Sequence, residues 1–88
     1  MSIEEQILLC AVRYALGRRS YIVGVVAEYV AVKRTALSEQ CVNLIIRDIK
    51  EELERYHRAG QTLGDDCDER TWINLQRVLE SMRERRNE

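Results

Sequence analysis

Apolar residues recur at three- and four-residue steps through most of this chain, the period of an α-helix with one buried face. Ser2 opens the first such segment. Glu5, three positions on, completes a capping-box pattern, and Ile3, Ile7, Leu8, Ala11, Tyr14 and Ala15 then form one apolar face. The spacing predicts a helix over 3–16, with Gly17 ending it in the left-handed conformation. Ser38 caps a later segment in which Cys41, Val42, Ile45, Ile46, Ile49, Leu53 and Tyr56 make a long stripe, ended by Gly60; this predicts a helix over 39–59. A last helix over 69–85 carries Trp72, Leu75, Val78, Leu79 and Met82, with Asp68 as its cap and Arg83, Arg85 and Arg86 suiting its C-terminal end.

The stretch from Ser20 to Val32 breaks the pattern, with Glu28 its one charge in thirteen residues. Val, Ile and Tyr also form strands, but thirteen residues is long for a strand. The reading is a second helix, 21–33, capped by Ser20 and buried on several sides. Gly24 costs that helix about 1 kcal/mol relative to alanine, so close approach of another helix is expected there. Glu28 lies either on a narrow exposed edge or buried and paired with an arginine such as Arg13 or Arg47; an unpaired buried charge is costly, which favours pairing. The second helix holds more apolar surface than one small bundle needs. It is either fully internal or leaves a dimer seam or docking patch. Residues 33–37 read as a linker and 61–68 as the longest loop.

Composition narrows the class. The chain has 88 residues, 45% hydrophobic and 33% charged, a globular balance and the length of one domain, 1–88. Proline is absent, which favours helix. Fourteen basic against fifteen acidic residues leave a net charge of −1, which argues against a general nucleic-acid coat. Three cysteines, an odd number without Cys-x-x-Cys spacing, predict no disulfide framework and a reducing cytosol. Cys10 and Cys41 read as small core residues. The opening Ser-Ile-Glu-Glu-Gln is acidic where a signal peptide is basic, and the longest apolar run is too short for a bilayer needing about 20 residues.

Candidate chemistry is sparse. Arg18 and Arg19 precede a helix start and could hold a phosphate or carboxylate, with Arg13, Lys33 and Arg34 widening the patch; solvated turn residues, or pairs with acidic residues elsewhere in the fold, are the competing reading. A helix-turn-helix is a second option, but Tyr21, Ile22, Val23 and Gly24 offer little to read bases with. Across helices two and three it would present Glu39, Gln40, Asn43 and Arg47. Asp65, Asp66, Asp68 and Glu69 match only the start of a calcium loop, with Thr71 where glycine is needed. His57 with Cys41 or Cys67 is two ligands of a zinc site needing four, or three and water, or a Cys–His pair that nothing brings together. The expectation is no metal, no cofactor, no small-molecule substrate and no catalytic centre.

The run Arg13-Tyr14-Ala15-Leu16-Gly17-Arg18-Arg19-Ser20-Tyr21 resembles an Arg-Tyr-Ala-Leu-Gly-Arg-Arg-Thr-Tyr motif of small proteins of tailed phages and prophages. Ile46-Arg47-Asp48-Ile49 resembles their Ile-x-Arg-Asp-Ile, and Gly64 to Asp68 followed by Trp72 resembles their Gly-Asp-x-x-Asp then Trp. Ser20 departs from the usual Thr and keeps the hydroxyl. The resemblance implies a phage-encoded accessory protein in the host cytosol and carries no activity or binding residues. In the motif Tyr14 and Leu16 are expected to pack, while Arg13, Arg18 and Arg19 reach Asp48 or the acidic loop.

These readings converge on an all-α, compact four-helix domain that is not an enzyme. The expected function is to bind and modulate a host protein through Arg18, Arg19, Lys33 and Arg34, with inhibition of a host defence nuclease, as by anti-CRISPR proteins, as one form. A homodimer is a second expected assembly. The alternative is a small DNA-binding regulator using Arg18, Arg19, Lys33, Arg34 and Arg47.

Overall fold

The computed structural model describes residues 1–17, 22–61 and 66–86. It is an all-α four-helix domain: α1 (Ile3–Leu16), α2 (Ile22–Lys33), α3 (Glu39–Arg58) and α4 (Asp66–Arg86). A single 3-10 turn, Arg34–Ala36, replaces part of the expected linker and delivers Leu37 into the core. α1 and α4 each pack on both α2 and α3. The helices therefore form a ring in the order α1, α2, α4, α3, and the fully buried side chains of Val12, Val30, Ile45, Ile49, Trp72 and Leu79 fill its middle.

Three polar links show how the helices run. Glu5, in the first turn of α1, reaches Ser38 at the start of α3, and Arg13, in the last turn of α1, reaches Asp48 midway along α3. α1 and α3 are thus parallel. On the other side, Asn43 accepts from Arg83, Lys50 pairs with Glu80, and His57 Nε2 meets Glu69 Oε1, so α3 and α4 are antiparallel. The fold is two antiparallel hairpins, α1/α2 and α3/α4, laid side by side.

Several ends form as their residues dictate. Ser2 and Glu5 make the full capping box. Ser38 Oγ accepts from the Cys41 N–H at 3.2 Å. Gly60, at φ 73°, closes α3: its N–H bonds to the His57 carbonyl and that of Gln61 to the Tyr56 carbonyl. This is the Schellman arrangement, and it needs a residue tolerant of positive φ. Gly17 does not play that role. At φ −87° it ends α1 with a bond from its N–H to the Tyr14 carbonyl, in the ordinary right-handed region. α4 starts three residues before the expected 69, so Asp68 lies inside its first turn rather than capping it. Acidic residues suit that turn because it carries the positive end of the helix dipole.

The larger corrections concern α1 and α2. The face of α1 that enters the core is Leu8, Leu9, Val12, Ala15 and Leu16, while Ile3, Ile7 and Tyr14 are exposed. Cys41 is fully buried, but Cys10 is exposed on α1. α2 is one corner of the ring, not its centre: Val23, Val26, Ala27 and Val30 are buried while Val25, Glu28, Tyr29 and Val32 face outward. With only two neighbours in the ring, each helix leaves part of its circumference open. Glu28 lies on that open part, and the partner of Arg13 is Asp48 instead. An alanine Cβ at Gly24 would meet no atom within 4 Å, so close helix approach does not explain this glycine. The cap assigned to Ser20, and Tyr21 as first helical residue, lie outside the described residues.

Candidate docking surface

The exposed side of the α1/α2 hairpin is the most distinctive surface of the molecule. The helices are antiparallel, with Glu4 and Lys33 at one end of the groove between them and Ala11 and Val25 further along. The groove encloses about 480 Å³ over a floor of Leu8 and Val26. Its α1 bank is Ile7 and Ala11 and its α2 bank is Val25 and Tyr29, and Ile3 and Val32 extend the two apolar stripes beyond the groove. Each stripe repeats at three or four residues, so it stays on one side of its helix. Ile3 is 74% exposed, Ile7 64%, Val25 60%, Tyr29 53% and Val32 67%. With large side chains carrying roughly 150–250 Å² each, these five expose on the order of 600 Å². That equals the upper end of roughly 300–600 Å² for the largest apolar patch on an ordinary monomer.

The roll of α1 about its axis puts this stripe outside. Glu5 Oε2 accepts from the Ser38 N–H at 2.8 Å and from its hydroxyl at 2.7 Å, while Oε1 accepts from the Ser2 N–H at 3.2 Å. One carboxylate thereby serves the caps of two helices. The Ser38 backbone bond, followed by the Ser38 hydroxyl and the Ser2 backbone, holds its pKa down to about 2. Two turns later, Arg13 Nε donates to Asp48 Oδ2 at 2.8 Å, a bond that raises the pKa of the guanidinium. Asp48 is the one buried charged residue among those described. These two links to α3 turn Leu9, Val12 and Leu16 inward, and Ile3 and Ile7 must then point away.

The expected cations fall in different places. Lys33 stands at the groove end with its Nζ 6.0 Å from the centre of the Tyr29 ring. Arg34 turns back, its guanidinium donating to the Ala31 carbonyl. Arg47 sits on α3 between Asp48 at 3.6 Å and Glu51 at 3.8 Å. Asp48 also holds Arg13, nine residues along α1 from Glu4, so the Arg47 cluster and Lys33 mark opposite ends of that helix, about 14 Å apart. Arg18 and Arg19 lie outside the described residues, as does Asp65. Arg47 thus stands apart from Lys33 and Arg34 and is paired with its acidic neighbours, and Asn43 is engaged by Arg83.

Titratable groups also stay apart. His57 and Cys41 are sixteen residues apart on one helix, about 24 Å, and His57 meets Glu69. Burial, then the Glu5 charge, pushes the Cys41 thiol up to about 11. Lys50 lowers the pKa of Glu80 in the α3/α4 pair. No three His, Cys, Asp or Glu side chains among the described residues are placed to hold a metal ion. No described helix is long and apolar enough to cross a membrane. No family model, curated protein or solved structure matches this chain.

The exposed stripe had a legible source: α1 carries more apolar residues than one face can hold. The sequence reading found the surplus on α2 and overlooked it on α1.

Proposed function

We propose that this chain is a non-enzymatic, phage-encoded protein that acts in the host cytosol by docking on a host protein and modulating it. The observation that carries the reading is the exposed apolar face of Ile3, Ile7, Val25, Tyr29 and Val32. Such a face is suited to covering by another protein surface, and Tyr29 is of the residue type that dominates binding energy at such contacts. The phage setting comes from the motif around Arg13 to Tyr21. Inhibition of a host defence nuclease, in the anti-CRISPR manner, is the form proposed.

Expression in a bacterium carrying an active CRISPR nuclease tests it. The protein is expected to protect a targeted phage, and Tyr29→Asp is expected to abolish protection while the chain stays folded by circular dichroism. Absence of protection across the nuclease types, together with no host protein retained by the wild-type chain and lost with Tyr29→Asp, would overturn the reading.

A further inference from the structure

We propose that, in the free protein, a second copy of this chain covers the α1/α2 face, forming a two-fold dimer around a central four-helix bundle. The inference concerns the same face as the proposed docking function but does not depend on any host partner. Three features of the hairpin support it.

The first is geometric. A two-fold axis running along the groove places α1 of one protomer over α2 of its partner and leaves the direction of each helix along the groove unchanged. Because α1 and α2 are antiparallel within the chain, every neighbouring pair in the resulting bundle is antiparallel, the common arrangement of four-helix bundles. The contact is isologous, so the same patch serves both sides and the assembly closes.

The second is charge. Glu4 and Lys33 occupy the same end of the groove, one on each helix, and both are exposed. The same two-fold axis sets Glu4 of one protomer against the partner's Lys33, and its Lys33 against the partner's Glu4. Two cross-subunit pairs of opposite sign thus lie at that one end, on either side of the axis, and the apolar residues continue the seam beyond them. An axis across the groove would instead set each charged end against the apolar Ala11/Val25 end.

The third is area. The five exposed apolar side chains supply on the order of 600 Å² per protomer, and a standard interface takes roughly 800 Å² from each side. Glu4, Lys33 and Ala11 at the edges make up the difference. Area does not fix affinity: interfaces of this size run from about micromolar to about picomolar dissociation constants, so the weak end sets the concentrations that must be reached.

Sedimentation equilibrium of the full chain from well below to about a hundred times micromolar concentration tests the proposal. The expected result is a reversible rise from the 10.3 kDa chain mass to twice that value. Ile7→Asp is expected to weaken the dimer by about tenfold or more without loss of helix signal, because it buries a charge at the seam. Glu4→Lys alone and Lys33→Glu alone are each expected to weaken it, and the double exchange to restore it. A monomer throughout the range, or a dimer indifferent to Ile7→Asp, would overturn the proposal. So would a double exchange no better than either single change, since the axis along the groove requires the rescue. A monomer that still protects phage through Tyr29 would sink the dimer and leave the docking function standing; a dimer that protects nothing would do the reverse.

Discussion

Leu9→Ala and Ile7→Ala are expected to differ sharply in stability, although both remove a large apolar side chain from the same helix two residues apart. Leu9 is 4% exposed. Truncation removes three carbons at about 0.8 kcal/mol each, roughly 2.4 kcal/mol of transfer energy. The cavity left in a core with little room to collapse brings the loss to about 3 kcal/mol. An 88-residue chain at about 0.05–0.15 kcal/mol per residue has about 4–13 kcal/mol in all, so the midpoint should fall by about 15 °C. Ile7 has only about a third of its surface covered, so its truncation costs under about 1 kcal/mol. The better helix propensity of alanine returns a few tenths, and the net change is about 0–0.5 kcal/mol. Urea unfolding followed by circular dichroism, at a dilution where any dimer is dissociated, measures both. Equal losses at the two positions would refute the assigned roll of α1. An Ile7→Ala loss that appears only at high concentration would instead report the covered face.

Glu5→Gln removes a carboxylate that serves two helix caps. The pKa of Glu5 is lowered from 4.5 to about 2 in the folded chain, so its contribution is present above about 4.5 and is lost as pH falls toward 2. Thermal midpoints of wild type and Glu5→Gln should therefore differ at neutral pH and converge near pH 2; a constant gap would contradict the double-cap role. Gly24→Ala should stabilise by about 0.4–1 kcal/mol, since the Cβ enters open space in the first turn of α2 and the unfolded chain loses freedom. Gly60→Ala should destabilise by about 1 kcal/mol because φ is +73° there; denaturant midpoints of opposite sign check the pair. In a Cys67→Ser background, a thiol reagent at neutral pH should label exposed Cys10 quickly and leave Cys41, whose pKa is raised to about 11, unmodified until unfolding. Equal labelling of both would count against the burial of Cys41.

Helix content followed from local chemistry and was legible before any tertiary contact was known. Ser2, Glu5, Ser38 and Gly60 mark three helix ends by the bonds they can make with the adjacent backbone, and those bonds form. The stripe from Cys41 to Tyr56 was readable because Leu44 is the one apolar residue of α3 outside it, leaving one way to bury the helix. α1 and α2 lacked that contrast. Each is apolar over more than one face, and periodicity cannot rank two apolar stripes on the same helix. The choice was made by residues more than thirty positions away. Ser38 and Asp48 bind Glu5 and Arg13, and those bonds fix the roll of α1. The ring of four helices then leaves one side of α2 open. Glu28 and Gly24 follow from the spacing of α2 and α4: both line an open groove between those helices, so neither needs a buried partner or a close approach. The composition of the hairpin alone contained the apolar surplus. Whether it became core or surface was settled by which neighbours α3 and α4 left it.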